Sequence, residues 1–565
     1  MCFLFAFTLS NILWSHFIIA QPLTASQWIE FLRNKDFIVD RELYSQRVVE
    51  MFDFAYSNYM THAYPLDELN PINCSGRGHD HISPENININ DVLGDFQLTL
   101  VDTLDTLAVM GKTENFKHAV NLVKTSLTFE HDVRVQVFET NIRLLGGLLS
   151  AHLLITDPAQ PFGDLTPANY STELLTIAHD LANRMLSVFD SSMSGLPYPR
   201  FYLGSGLPDN SISETCLAGA GSLLIEFGCL SSLLGDPTYA SVARRVVTRL
   251  WHRRSSVTGL LGTTIDVNSG KWLNRMSGLG AGQDSFYEYL YKASILFDDQ
   301  QLGSMFDESL KALRYHLRLG GSACFTTKGH PPVYWNVDMY TGEIINHWVD
   351  TLQSMWPGVL ASYGDVTEAQ CQHALHYFIW QQFGLPPERY DLLTEEPLVH
   401  FYPLRPEFAE STYHLYRATR HPFYLYVGKQ IVDSLNKHAR VRCGFATIHD
   451  VQDMSHEDRM ESFFLSETLK YLYLLFNESN PINLKEGEYL FSTQAHIFPL
   501  HRIRTLADRL SPNPFKVSSS LTPTDVKHSN NKCTPVKNSS SPFPLDEQMW
   551  FTIARHVRSK PRVSS

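Results

Sequence analysis

The strongest constraint on the fold of this chain is the repeated helical spacing of its apolar residues, which starts near Arg41 and recurs to about Phe476. The first stripe consists of Val48, Met51, Phe52, Ala55 and Tyr59. Further segments lie at roughly 91–111, 114–128, 134–155, 171–189, 213–234, 237–253, 280–297, 303–318, 343–362, 367–383, 407–419, 422–437 and 457–476. About fourteen amphipathic helices with short or medium loops predict an all-α array of antiparallel helix pairs.

The remaining segments define the domain organisation. Few of them have the alternation of a strand, although Thr258–Trp272 is predicted to form a hairpin between helices. No fixed repeat period is present, which disfavours a solenoid of identical units. The helical domain is predicted to span 41–503, with a Gly-, His- and Asn-rich loop insertion at 73–90. From 504 to 565, Ser, Pro, Asn and Lys dominate, which predicts a low-complexity, disordered tail.

The amino terminus indicates the secretory pathway. Residues 1–20 are almost wholly apolar, which predicts a signal peptide or a signal anchor, and any membrane contact is predicted only through this segment if it stays uncleaved. A buried terminal helix is the alternative, disfavoured because the segment has no polar face. Glycosylation triplets occur at Asn73, Asn169, Asn477 and Asn538.

Charge and cysteine content argue against binding of nucleic acid and of zinc. The net charge is −13, from 59 acidic and 46 basic residues. Such a balance argues against nucleic acid, which needs a clustered basic face, and fits a neutral or cationic partner or an acidic pocket equally well. The 8 cysteines form no Cys-x-x-Cys pair, which disfavours zinc and leaves isolated thiols or disulfides.

Carboxylates occupy positions where a buried helix would normally carry apolar residues. Glu139 and Arg143 are four apart and share a helix face; an ion pair on a partly buried helix explains that spacing equally well. Asp284 follows three glycines at a predicted helix start, where the helix dipole favours an ionised side chain, although an ordinary capping Asp is the alternative.

Two further segments carry acidic groups close to helix ends. In Arg405-Pro-Glu407, the helix terminus and Arg405 are expected to hold Glu407 anionic, as a general base requires, whereas charge stabilisation of the helix needs no function. Glu410 lies one turn further on. Glu461, Glu467 and Thr493-Gln494-Ala-His496 allow the same two interpretations, solvated charge or site.

Buried carboxylates are costly unless they are paired or bind a metal ion. Several converging inside a helical ring would form a polar pocket, and one cation would offset their repulsion. Oxygen donors without a thiolate cluster favour calcium over zinc. Glycoside hydrolysis uses such an acid and a separate base around a sugar. Inversion or retention depends on the gap between them, which the sequence leaves open.

These segments together resemble glycoside hydrolase family 47, the class I α1,2-mannosidases, and within it the ER degradation-enhancing α-mannosidase-like subgroup. The resemblance spans about Val48 to His496. Its motifs are Phe52–Tyr64, Leu98-Thr-Leu-Val-Asp102-Thr-Leu-Asp105, Phe138-Glu139…Arg143, Asp284-Ser-Phe-Tyr, Leu404-Arg-Pro-Glu407 and Arg459-Met-Glu461-Ser-Phe-Phe.

The resemblance implies an (α/α)7 barrel with a calcium-dependent, inverting site at its bottom. By motif match it implies that Glu139 is the general acid and that Glu407 is the base. It implies catalytic roles for two further carboxylates, Asp284 and Glu388. It implies pocket roles for Arg143, Glu410, Glu461, Asp102 and Asp105. Thr493 falls on the calcium-binding threonine, but the family's Thr-Glu-x-His reads Thr493-Gln494-Ala-His496 here. Cys324 and Cys371 fall on a structural disulfide.

The resemblance also implies a place and a client. We expect an endoplasmic reticulum protein, luminal or anchored by its amino terminus, that trims high-mannose N-glycans of misfolded glycoproteins for ER-associated degradation. ER oxidoreductases and degradation machinery are expected partners. The alternatives are a non-catalytic lectin-like receptor, which Gln494 and the tail motivate, and a helical scaffold that binds clients through apolar surface.

Overall fold

The computed structural model of the chain describes residues 37–320, 332–516 and 553. Its long helices are α1 Arg41–Asn58, α2 Leu98–Asp102 with Leu104–Val109, α3 Thr113–Ser126, α4 Val137–Glu139 with Thr140–Leu145 and Gly146–Ile155, α5 Glu173–Met185, α6 Leu217–Gly221 with Leu224–Leu234, α7 Thr238–Trp251, α8 Asp284–Phe297, α9 Gln300–His316, α10 Thr351–Met355 with Trp356–Tyr363, α11 Val366–Phe383, α12 Glu407–Thr419, α13 Pro422–Ser434, α14 Phe464–Thr468 with Leu469–Phe476 and α15 Leu500–Ala507. Short helical turns are Tyr59–Ala63, Ile87–Asn90, Ser187–Asp190, Leu435–Ala439 and Pro481–Leu484.

Helices α1 to α14 alternate between an outer and an inner ring. The even-numbered helices are inner, and the Gly146–Ile155 and Leu469–Phe476 segments are buried along their whole length. Outer helices such as α7 and α9 bury one apolar face. Each inner helix contacts the next inner helix, α2 contacts α14, and α1 packs on α14 to close the ring. The seven helix pairs confirm the predicted (α/α)7 barrel.

Short strands occupy the connections between the helices. They are β1 Glu68–Asn70, β2 Ser75–Arg77, β3 Arg134–Gln136, β4 Arg200–Tyr202, β5 Glu214–Cys216, β6 Thr264–Asp266, β7 Trp272–Asn274, β8 Met276–Ser277, β9 Arg318–Leu319, β10 Val333–Tyr334, β11 Asn336–Asp338, β12 Ile344–Asn346, β13 Trp348–Asp350, β14 Arg389–Asp391, β15 Glu396–Val399, β16 Arg440–Val441, β17 Gly444–Phe445, β18 Thr447–Asp450, β19 Ser455–Glu457, β20 Tyr489–Phe491 and β21 Ile497–Pro499. All pairings between these strands are antiparallel, in sheets of two or three strands.

The expectation of few strands was wrong, because strands of two to four residues are too short to produce an alternating pattern. The predicted hairpin is present as β6 and β7, with its second strand extending to Asn274. The segment predicted as one helix over 343–362 begins with β12 and β13, so that helix α10 starts only at Thr351.

The inner helices all run in the same direction, because each is separated from the next by one antiparallel outer helix. Their amino-terminal ends therefore share one end of the barrel, and most of the strands immediately precede these ends. The β20–β21 hairpin follows the carboxyl end of the last inner helix and so enters from the opposite end.

The predicted boundary between barrel and tail lies too early. Helix α15 continues to Ala507 and packs on α6 and α8. The ring of Phe515 stacks on Phe297 with 4.0 Å between centroids. Buried Leu510 and Phe515 supply apolar anchors inside a segment whose average composition is polar. Of the remaining predicted tail, the structure describes only Ile553, which is buried.

The amino-terminal segment and Asn538 lie outside the described residues. Asn73 and Asn169 are exposed, whereas Asn477 is half-buried and its amide donates to Tyr473 Oη at 2.8 Å. Within the described residues, one stretch, Leu217–Leu234, is long and apolar enough to cross a membrane, but 83% of it is buried in the barrel.

A disulfide joins Cys74 to Cys443, across 369 residues of sequence, with 5.5 Å between the Cα atoms. The sequence left this pair unassigned. Cys371 is also disulfide-bonded, and Cys324, its predicted partner, lies outside the described residues. Cys216 and Cys229 are free thiols.

We expect the Cys74→Ser/Cys443→Ser double variant to lose about 2–4 kcal/mol of unfolding free energy, because the bridge constrains a long loop of the unfolded chain. Urea unfolding followed by circular dichroism measures this loss. Cys216→Ser is the matched control, since a hydroxyl still accepts the Gly219 N–H that the thiol accepts at 3.1 Å. An unchanged urea midpoint in the double variant would contradict the prediction.

Candidate active site

The tip of the β20–β21 hairpin forms the floor of the barrel. Lys470 Nζ donates to the Ala495 carbonyl at 2.8 Å, and Ser150 Oγ exchanges hydrogen bonds of 3.1 Å with the backbone of Ile497. Ala495 has a left-handed backbone, φ 57°, which turns the tip. Thr493 is half-buried at this tip, and its N–H lies 3.4 Å from the hydroxyl of Tyr289.

Glu139 and Arg143 form the predicted ion pair, with Arg143 Nε 2.8 Å from Glu139 Oε2. Glu139 ends the first turn of α4, and a π-helical segment follows immediately, a feature frequent at functional sites. Arg143 also donates to Ser462 Oγ at 3.0 Å and lies 3.9 Å from Glu461. Glu139 keeps 22% of its side chain exposed, so it faces the open end of the site.

Asp284 is the first residue of α8 and accepts the Ser285 N–H at 2.8 Å. Burial, reinforced by the charges of Glu407, Glu288 and Asp350, raises its pKa to about 8. The sequence suggested that the helix terminus would keep Asp284 ionised. The pKa of Asp284 is raised instead, because desolvation and like charges outweigh the helix dipole.

Glu407 is the first residue of α12, behind Pro406. Arg405 was expected to pair with it, but its guanidinium makes a two-pronged contact with Glu388 at 2.6–3.1 Å. Burial raises the pKa of Glu407 to about 7, against the opposing charge of Arg405. Its Oε2 is buried and has no hydrogen-bond partner among the described residues.

Asp102 and Asp105 lie behind the hairpin tip. Asp105 is fully buried; its oxygens accept from Lys470 Nζ at 2.7 Å, Ser150 Oγ at 2.9 Å and His496 Nδ1 at 3.2 Å. Asp102 Oδ2 accepts from Ser466 at 2.8 Å and from the Gln494 amide at 3.0 Å. These contacts favour anchoring of the hairpin over sugar binding for Asp105.

Several acidic residues of the site were missed by the sequence assignment. Glu226 accepts from Tyr289 Oη at 2.6 Å and from Asn141 at 2.8 Å, and Glu288 pairs with the buried Lys292. Glu68 and Asp350 are also buried. A carboxylate inside an apolar run, as in Leu223-Leu-Ile-Glu226-Phe, is the signal that could have found Glu226.

Mutual repulsion and desolvation dominate the electrostatics. Burial raises the pKa of Glu410 to about 8, opposed by Lys292, and that of Glu226 to about 7. Burial, with the charges of Glu407 and Asp102, raises the pKa of Glu467 well above its usual range. Burial opposes ionisation of Glu461 too, but Arg459 and Arg143 lower its pKa. This concentration of carboxyl groups would be stabilised by a cation.

The oxygen donors at the hairpin tip would suit a hard cation, with Thr493 as the residue that would hold it. No three His, Cys, Asp or Glu side chains in the described parts of the chain converge closely enough to ligate a metal directly. Thr493 offers hydroxyl and carbonyl oxygens at the tip, and Glu407 Oε2 has no hydrogen-bond partner within 37–320 and 332–516. Hydroxyl, carbonyl and carboxylate oxygens suit calcium better than zinc.

Comparison with known proteins identifies the family of this chain. The model of glycosyl hydrolase family 47 matches residues 51–500. ER degradation-enhancing alpha-mannosidase-like protein 1 of Schizosaccharomyces pombe is 43% identical over 463 residues, covering 81% of this chain and 57% of its own. Alpha-mannosidase I MNS5 of Arabidopsis thaliana is 41% identical, covering 84% of this chain and 80% of its own.

The structure of the alpha-1,2-mannosidase from Trichoderma reesei superimposes with a TM-score of 0.70 at 25% identity, covering 81% of this chain and 99% of that one. This chain spans little more than half the length of its S. pombe relative. The family match nevertheless covers nearly the whole barrel, from α1 to the end of the hairpin. The chain belongs to glycosyl hydrolase family 47.

Proposed function

We propose that this chain is a calcium-dependent, inverting α1,2-mannosidase that trims high-mannose N-glycans of misfolded glycoproteins in the endoplasmic reticulum and so promotes their degradation. The observation that carries the proposal is the group of carboxyl side chains around the Thr493 tip, closed below by the hairpin. In the described parts of the chain the hairpin occupies one end of the barrel, so a terminal sugar would enter from the strand-lined end, which suits an enzyme acting on chain ends.

Two carboxyl groups divide the acid–base work. Glu139 is proposed as the general acid, acting directly or through water, with Arg143 orienting it at 2.8 Å. Glu407 is proposed as the general base; a pKa of about 7 is near the pH of the compartment, where a base is most effective. Asp284 completes the catalytic group. Arg143, Glu410 and Glu461 are proposed to contact the sugar next to these catalytic carboxyl groups.

Calcium is proposed to bind at Thr493 through its hydroxyl and carbonyl oxygens. When bound, it would supply positive charge that orients sugar hydroxyl groups and offsets the carboxylates. Asp105, His496 and Lys470 anchor the hairpin that carries Thr493.

The decisive test is mannose release from a high-mannose glycan by the purified chain, with NMR to read the anomeric configuration of the sugar first formed. We expect release of α1,2-linked mannose with inversion, lost on chelation and restored by calcium. Denatured glycoprotein and ER oxidoreductases would be added in parallel. If no mannose is released under any of these conditions, the enzyme proposal is wrong.

A lectin-like receptor is the second candidate, favoured by Gln494. Its amide donates to Asp102 and cannot add a negative charge near a cation. Glu139→Gln separates the candidates, because a receptor keeps its effect on client turnover whereas an enzyme loses it. The ER location, the amino-terminal anchor or leader, and partnership with oxidoreductases and degradation machinery also stay proposals.

Without calcium, we expect stability to fall as the pH rises from about 4 to 8. Asp284, Glu407, Glu410 and Glu226 have folded-state pKa values of about 7 to 8, whereas unfolded carboxyl groups titrate near 4. The folded state therefore binds more protons in this window, and its stability is lost as those protons dissociate.

Calcium should flatten this pH dependence by offsetting the ionised carboxylates. Thermal unfolding at several pH values, with calcium, with magnesium and with chelator, measures the effect. A pH profile of Tm that is identical with calcium and with chelator would contradict calcium binding at this site.

A further inference from the structure

The start of β14 lies between two predicted catalytic carboxyl groups, Glu407 and Asp284, and is linked to the surroundings of both by side-chain contacts. Glu388 and Arg389 are adjacent where β14 begins. Glu388 pairs with Arg405, which precedes Glu407 by two residues, whereas Arg389 Nε lies 2.6 Å from Asp350 Oδ1. The β13–β14 pairing places Asp350 directly opposite Arg389.

Asp350 in turn fixes the turn from which Asp284 emerges. Its Oδ2 accepts the Ala281 N–H at 3.3 Å. The Gly280 carbonyl accepts from Gln283 N and Asp284 N at 3.1 and 3.2 Å, which starts helix α8. A Cβ at Gly280 would lie 2.5 Å from Asp350 Oδ2, so only glycine permits this approach.

We propose that Arg389 is a positioning residue for Asp284, because it holds and neutralises Asp350, the carboxylate that fixes the Gly280–Gln283 turn. The inference rests on the proposed function and extends it to a residue outside the carboxylate group. Arg389 also lies over the Trp348 ring, 4.6 Å from its centroid, which limits the guanidinium to this orientation.

Removing Arg389 leaves Asp350 as an uncompensated negative charge close to Asp284. The negative charges of Glu407 on α12, Glu288 on its own helix and Asp350 on β13 raise the pKa of Asp284, and the Cys216 thiol at the end of β5 also lies near it. An Asp350 charge that Arg389 no longer offsets should therefore disfavour ionisation of Asp284 further.

Arg389→Gln is the test, and Arg275→Gln is its matched control. Arg275 makes the same kind of contacts, 2.8 Å from Asp338 and 5.0 Å from the Tyr340 ring, on the neighbouring β8–β11 pair. In Arg389→Gln, we expect the limb of the kcat/KM–pH profile governed by Asp284 to move up by about 0.5–1 pH unit. Activity at fixed pH on that limb should change by up to about tenfold.

Arg389→Gln/Asp350→Asn should return the limb toward its wild-type position, because an amide still accepts the Ala281 N–H but carries no charge. A general loss of structure would not be rescued in this way. Profiles of Arg389→Gln that coincide with wild type and Arg275→Gln, or a double variant that stays shifted, would overturn the inference.

Binding of a high-mannose oligosaccharide by calorimetry, across the same pH range and with the same variants, separates the two proposals. If the wild type releases no mannose, hydrolysis fails, but a shifted binding profile in Arg389→Gln alone still supports the role of Arg389. Binding and rate profiles that do not differ between the variants overturn it.

Discussion

Glu407→Gln should lower kcat about 10²–10⁴-fold, the usual contribution of a positioned general acid or base. The same change should not destabilise the fold. Glu407 raises the pKa values of Asp284 and Glu467, and its own Oε2 is buried with no hydrogen-bond partner in the described parts of the chain, so its charge opposes folding. A neutral amide of the same shape relieves that repulsion. We therefore expect an inactive protein whose Tm is equal to or above that of the wild type.

Mannose release and thermal unfolding, measured on the same preparation, check both halves of this result. Glu396→Gln is the control, an exposed carboxylate on β15 shortly before the same helix, and should change neither quantity. Activity within threefold of wild type in Glu407→Gln would remove Glu407 from the catalytic group.

Lys470→Met should cost about 3–5 kcal/mol of unfolding free energy, because it breaks a buried ion pair and leaves Asp105 with only His496, among the described residues, to offset its charge. Lys470 and Asp105 are both fully buried, 2.7 Å apart, and Lys470 also holds the Ala495 carbonyl. Loss of this contact should loosen the Thr493 tip and weaken calcium binding as well. Urea unfolding and calcium titration measure the two effects.

Lys485→Met is the matched control, since the Lys485–Glu488 pair is 3.5 Å apart and exposed. It should change the unfolding free energy by less than about 1 kcal/mol. Adding Asp105→Asn to Lys470→Met should recover part of the loss, because it removes the buried carboxylate that Lys470 no longer offsets. A Lys470→Met protein as stable as the Lys485→Met protein would show that the hairpin is anchored by other contacts.

The helical framework was predictable because many helices, inner and outer, carry a local pattern and a recognisable start. The segment 407–419 coincides with α12, and 367–383 differs from α11 by one residue, since Pro406 and Asp365 mark helix starts. The segment 91–111 was not predictable as a whole. Asp67 accepts the backbone N–H groups of Gly94, Asp95, Phe96 and Leu98 and holds that stretch out of a helix.

The candidate site was predictable where a motif places a carboxylate at a helix start, as with Asp284 and Glu407. It was not predictable where function depends on a partner distant in sequence. Arg405 pairs with Glu388 and not with Glu407, which only the packing of the β14 segment determines. Asp350 is hidden for the same reason, because its importance comes from contacts with Gly280 and Arg389.

Closure of the ring by α1 against α14 has a consequence for biosynthesis. Helix α1 is synthesised first, but its partner α14 is synthesised only after the rest of the ring. The β20–β21 hairpin leaves the ribosome later still. Contacts between such distant segments form slowly and expose apolar surface meanwhile. A growing chain therefore has Glu139 long before it has Thr493, so a complete site cannot exist on a nascent or prematurely terminated polypeptide.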